Sequence, residues 1–166
     1  MKMTRLSDEI SIYQQQLKEG HIQKAYRGVF LFLSRLKVDL DRSHSDFHTS
    51  ALYSGYMDMS YFACTPQILK EKQLKIAVVY LHEEGRFEAW LSAGNRKIQA
   101  EYVTLLSRGD LHGNELSLSA PGADSILSRI LESAPDFDAP QQLSELLEER
   151  LLQFIEDVTS ILSSME

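Results

Sequence analysis

The stretch LKIAVVYLHEEGRFEAWLSA, residues 74–93, restricts the fold more than any other part of the chain. Leu74–His82 and Arg86–Ser92 are rich in β-branched and aromatic residues, with a Glu84-Gly85 turn signal between them, so the pair reads as an antiparallel hairpin. With a two-residue turn, Glu83 would face Arg86, His82 would face Phe87, Leu81 would face Glu88 and Val79 would face Trp90. Side chains alternate across a strand, so one face would carry Ile76, Val78, Tyr80, His82, Phe87, Ala89 and Leu91. The other would carry Ala77, Val79, Leu81, Glu88 and Trp90, apolar apart from one carboxylate. Two apolar faces predict a sheet covered at least partly on both sides.

Helices to supply that cover are legible on both flanks. Over Thr4–Glu19, Leu6, Ile10, Tyr13 and Leu17 recur at helical spacing, and Gly20 suits a C-terminal cap. Over His21–Asp39, Ile22, Ala25, Tyr26, Val29, Phe30, Leu33 and Leu36 form a stripe that Phe32 and Leu40 widen, as in a central helix. The short link between the two predicts an antiparallel helical hairpin. Arg42–Thr49 is polar and reads as a loop. Ala51–Phe62, ALYSGYMDMSYF, alternates and reads as a strand that Thr65-Pro66 ends, with a helical turn over Pro66–Lys72. Downstream, the pattern predicts a helix over Asn95–Leu106, a turn region over Gly109–Asn114 and a short edge strand over Glu115–Ala120. A helix over Gly122–Ser133, a loop over Ala134–Pro140 and a long helix over Leu143–Leu162 complete the chain. The expected fold is α+β in one domain, residues 1–166. It has a small antiparallel sheet of three to four strands and about five helices. The N-terminal hairpin is expected over one face, the C-terminal helices over the other face or an edge.

Four segments carry a family resemblance: QKAYRGV (23–29), GYMDMSYF (55–62), residues 74–99, and DSIL with PDFD (124–138). Together they resemble a family of small bacterial proteins catalogued only as a domain of unknown function. The resemblance implies a bacterial cytoplasmic protein and brings no activity or catalytic residue with it.

Charge narrows the functional classes. The formal net charge is -7, which repels phosphate backbones, and no lysine- or arginine-rich block offsets it, so no nucleic-acid partner is expected. Cys64 is the only cysteine, so neither an intramolecular disulfide nor a cysteine metal cluster can form. MKMTRLSDEI lacks the apolar core of a signal peptide, and the longest apolar run, around Val29–Leu33, is far short of a membrane span. The expectation is a cytoplasmic protein with no membrane association and no cofactor.

Chemical motifs are incomplete. His44 and His48 are four apart, but in a polar stretch with no HExxH pattern, and DLDRSHSD lacks the glycine and terminal glutamate of a calcium loop, so no metal site is expected. Cys64 reads as a buried, inert thiol. A metal-dependent nuclease would need an Asp on one strand and Glu-x-Lys on the next. Asp58 and Glu88 could supply the carboxylates, but residues 88–90 are Glu-Ala-Trp. The best candidate is the strand-to-helix junction, where Gly94 can turn, Asn95 can cap, and Arg96 and Lys97 add positive charge at a helix N-terminus that already favours anions. The competing reading is internal pairing, with Asp58, Glu83, Glu84 or Glu88 neutralising Arg96, and Glu88, half-buried beside Trp90 and Leu81, most in need of a partner. Tyr53, Tyr56, Tyr61, Met57 and Met59 form either a ligand pocket wall or partner surface, or a core strand between two helical layers.

Two functions follow. The first is a non-enzymatic binding or regulatory module for an anionic small molecule or a protein partner, with a homodimer allowed by the last helix. The second is a small hydrolase, including a divergent metal-dependent nuclease, with Asp58, Glu88, Arg96 or Lys97 and His82 in one cleft. The candidate ligand-binding set is Tyr56, Asp58, His82, Glu88, Asn95, Arg96 and Lys97.

Overall fold

The computed structural model describes residues 4–109, 111, 116–118 and 124–165. Its elements, in chain order, are α1 (Leu6–Glu19), α2 (His21–Ser43), β1 (Phe47–Thr49), β2 (Met59–Pro66), α3 (Gln67–Lys70), β3 (Leu74–Leu81) and β4 (Arg86–Ala93). They continue with α4 (Arg96–Ser107), β5 (Ser117–Leu118), β6 (Leu127–Glu132) and α5 (Pro140–Ser164). The fold is α+β with five helices, but the antiparallel sheet has six strands in the order β1-β2-β3-β4-β6-β5, more than the three to four expected.

Each missed strand pairs an edge that would otherwise be bare. Leu127–Glu132, expected as part of a helix over Gly122–Ser133, is β6. Ile126, Leu127, Ile130 and Leu131 suit either period, and hydrogen bonding to β4 decides for extended chain. Phe47–Thr49, expected in a loop, is β1 on the outer edge of β2. The strand expected over Ala51–Phe62 starts only at Met59 and runs on to Pro66. Positive φ at Gly55 (74°) and Met57 (64°) folds the preceding segment back, so that Tyr53 bridges Tyr61. The expected turn at 109–114 and the ends of the 115–120 strand lie largely outside the described residues.

The central hairpin has four loop residues, 82–85, closed by Gly85 N–H donating to the Leu81 carbonyl at 2.8 Å, with φ 67° at Gly85. Leu81 therefore pairs with Arg86, Val79 with Glu88 and Ala77 with Trp90. The expected register is off by two residues. A two-residue slip leaves every side chain on its assigned face, so the two-face reading survives the error.

One face is the core. Phe62, Ile76, Val78, Phe87, Ala89 and Leu91 meet Leu33, Leu36 and Leu40 of α2 and Leu147, Leu151, Phe154 and Val158 of α5. Phe32 and Phe137 pack their rings on Phe87 at 5.6 and 5.8 Å. The seam with α5 also holds an ion pair, Arg129 to Asp157 at 2.6 Å, with the Arg129 guanidinium over the Phe154 ring. Thus α2 and α5 share one face, against the expectation that the C-terminal helices take the other face or an edge. The opposite face carries Ala77, Val79, Glu88, Trp90 and Ile130. Ala77 and Val79 are buried but outside the core cluster, and Ile130 is half exposed. The burial of Ala77, Val79 and Glu88 agrees with the expectation of a sheet at least partly covered on both sides. In the N-terminal hairpin it is α2 that packs on the sheet. α1 rides on the outer side of α2 and buries none of its residues, leaving Leu6, Ile10 and Tyr13 exposed.

Candidate functional site

The seven candidate residues separate into three places. Asp58, Tyr56 and His82 sit where β2 begins and β3 ends. Asn95, Arg96 and Lys97 sit beyond the opposite ends of β3 and β4, on the order of 20 Å away along eight-residue strands. Glu88 lies between, on the open face.

Glu88 is 6% exposed and fully partnered. Arg86 Nε donates to one carboxylate oxygen at 2.7 Å and Trp90 Nε1 to the other at 3.0 Å. The expected pairing with Arg96 is therefore replaced by one with Arg86. Residues 86, 88 and 90 are two apart on one strand and share a face, so period-two reasoning could have found the trio. With both oxygens held by donors, Glu88 closes the sheet surface and offers no free base.

At the β2–β3 end, the ring of His82 stacks on Tyr26 of α2 (centroids 5.2 Å apart, 13° between planes) and meets Tyr80 edge-on. The Ser60 hydroxyl donates to the Ser54 carbonyl at 2.5 Å, so His82 Nε2 is the donor in its 2.8 Å contact with Ser60 Oγ. The His82 main-chain N–H donates to the Asp58 carbonyl, and the Asp58 carboxylate accepts from Tyr56 N–H at 2.8 Å. That backbone donor is the main reason the Asp58 carboxyl is held below its ordinary value. Burial lowers the imidazole of His82, against the opposing pull of Asp58. Ser60 and His82 look like a nucleophile and its base, but Ser60 is buried and its proton points away from the ring. This network fastens the 50–58 segment. It holds Met57 at positive φ, a strain of about 1–2 kcal/mol for a non-glycine residue. It also leaves Tyr56 93% exposed, so Tyr56 forms no core strand.

At the other end, Asn95 caps α4, its side chain accepting from Ile98 N–H at 3.0 Å as the sequence predicts. Arg96 and Lys97 are exposed and form no ion pair with a described residue. Gly94 N–H donates to the Gln73 carbonyl at 2.9 Å, which joins this turn to the α3–β3 junction. A shallow cleft of about 270 Å³ opens there, lined by His48, Thr65, Lys70, Gln73, Lys75 and Gly94. Across 67–75 and 93–99, Lys70, Lys75, Arg96 and Lys97 are cationic, and Glu71, the one acidic residue of these two segments, accepts from Gln67. Asp41, behind β1, accepts from Thr49. Lys70 donates to His48 Nδ1 at 3.2 Å, which leaves the His48 Nε2–H for Gln67. The ammonium keeps two further donors for a ligand.

No cluster of three or more metal-ligating side chains exists among the described residues, and His44 and His48 point to different partners, Glu148 and Gln67. Cys64 is buried, and burial pushes its thiol up to about 12. No helix among the described residues is long and apolar enough to cross a membrane.

Residues 6–162 match the sequence profile of a family described as a domain of unknown function (DUF7000). The chain belongs to that family. No curated protein matches it, and no solved structure does. The site of this DUF7000 chain is thus read from its own geometry. The sequence reading named Asn95, Arg96 and Lys97 as candidates and did not place Lys70, Lys75 and His48 near the turn that precedes them. The lysines of KEKQLK (70–75) were visible, but nothing local says that this segment folds against GNRK.

Proposed function

We propose that this DUF7000 protein is a non-enzymatic binding module that holds a phosphate- or carboxylate-bearing ligand at the cationic end of its sheet. The observation that carries the reading is the cleft bordered by Lys70, Lys75 and His48, with Arg96 and Lys97 on the adjoining first turn of α4, in a chain of net charge -7. Cations concentrated at one end repel each other, and a bound anion relieves that repulsion. The main-chain N–H groups of the α4 first turn favour the same charge. The hydrolase alternative, including its nuclease form, needs Asp58, Glu88, His82 and Arg96 or Lys97 in one cleft. They are dispersed, and Glu88 is closed in an ion pair, which favours binding over catalysis. We place the protein in the bacterial cytoplasm on the family resemblance, and its lone buried thiol suits a reducing compartment.

The test is titration of the ¹⁵N-labelled protein with inorganic pyrophosphate and with citrate at low and high salt. Amide shifts are expected at residues 48–50, 70–75 and 94–97, weakening with salt as screened charges require. A K70E/K75E variant is expected to lose them. Arg96→Ala is expected to weaken binding several-fold while changing stability by less than about 0.5 kcal/mol, as for an exposed, unpaired side chain. If Arg96→Ala instead destabilises the protein and neither anion moves these amides, the reading fails.

A further inference from the structure

A second cleft, about 440 Å³, opens at the far end of the molecule from Arg96, where the corner between α1 and α2 meets the 50–58 segment. Leu17, Ile22, Tyr26 and Phe30 on the helices and Met57 on the loop form its walls. Small-molecule pockets fall in the range of about 300–1,000 Å³, lined mostly by apolar and aromatic side chains with a few placed polar groups.

The polar groups here can be followed one by one. The Tyr26 hydroxyl donates to the carbonyls of Ser54 and Gly55. The Ser54 carbonyl also accepts from Ser60, so both of its lone pairs are occupied. The Gln23 amide donates to the Leu17 carbonyl at 2.9 Å. Arg27 is the one charged residue in the lining, and it forms no hydrogen bond or ion pair with a described residue. Its guanidinium keeps its whole planar fork of donors, the shape that takes a carboxylate bidentately.

The loop wall is preformed. A Cβ at Gly55 would lie 1.8 Å from the Met59 carbonyl oxygen, Asp58 holds Tyr56 N–H, and Tyr26 clamps the loop from above. A rigid wall lowers the ordering cost that a ligand would otherwise meet.

We propose that this cleft binds an amphipathic carboxylate, its apolar chain among Leu17, Ile22, Phe30 and Met57 and its head group on Arg27. Charge complementarity selects the class: apolar walls want a hydrocarbon body, and a single unpaired guanidinium wants one anionic head. The site is separate from the cationic end and stands or falls without it.

The probe is dodecanoate below its micellar range, with dodecanol as the uncharged control, read by ¹H–¹⁵N NMR on the full chain. Saturable shifts are expected at residues 17–30 and 54–57, with dodecanol at least tenfold weaker. Arg27→Met is expected to weaken dodecanoate at least tenfold and Arg27→Lys less. Met57→Glu, which sets a like charge in the cleft, is expected to abolish binding. The K70E/K75E variant is expected to bind dodecanoate as the native chain does. Arg27 and Met57 are exposed, so circular dichroism is expected to show both variants folded. Shifts that do not saturate, shifts confined to the outer surface of α1, or equal binding by the acid, the alcohol and Arg27→Met would each overturn the proposal.

Discussion

Glu88 shows how a single buried charge constrains a surface. It was legible as a carboxylate among large neighbours, and the rule that a buried charge needs a partner was right. The partner was Arg86, which shares its strand face, and not Arg96. Removing Arg86 leaves Glu88 buried beside Trp90 alone. We expect Arg86→Met to cost about 2 kcal/mol in urea denaturation, below the 3–5 kcal/mol of a fully buried pair because Arg86 is itself about a third exposed. An R86M/E88L double variant is expected to recover most of that loss, since apolar isosteres need no desolvation offset. A single variant as stable as the native chain would show the pair to be ornamental.

Among the elements, α1 and α2 look alike in sequence and differ in structure. Both have apolar stripes, yet Phe32, Leu33, Leu36 and Leu40 of α2 are buried while α1 buries nothing. The stripe on α1 announced a helix but could not announce what it packs on, because the inner face of α2 was already committed to the sheet. A chain beginning at His21 is therefore expected to fold cooperatively, with a loss of about 1 kcal/mol, or roughly 2–4 °C in Tm by calorimetry. Loss of the cooperative transition would place α1 in the folding unit. β6 and β1 teach the converse. The β6 segment suits either period and the β1 segment is short and polar, and the unpaired edges of β4 and β2 recruit them.

Across the whole molecule, pH is the most direct probe of how the parts are joined. His82 links α2, β2 and β3 through Tyr26, Ser60 and the Asp58 carbonyl. Burial lowers its folded-state value below the ordinary 6.5, so the unfolded chain takes up a proton that the folded chain resists. Stability is therefore expected to be full above pH 6.5 and to fall as the pH drops through the window below it. Asp58, held below 3.8 when folded, adds a loss in the same direction at lower pH. Urea midpoints from pH 7.5 down to about 3 check this, and His82→Asn is expected to flatten the upper part of the slope. What the sequence determined by itself was local and periodic: the helices α1, α2, α4 and α5, the two faces of the central hairpin, and the cap at Asn95. These depend on spacing of 3.6 or 2 and on contacts within a few residues. Only the tertiary structure decided that α2 and α5 share one face and that β6 is a strand. It also decided that Lys70 and Lys75 meet the turn before Arg96, and that Arg27 stands unpaired over an apolar cleft. Edge pairing and charge clustering depend on which distant segments meet, and no residue records that alone.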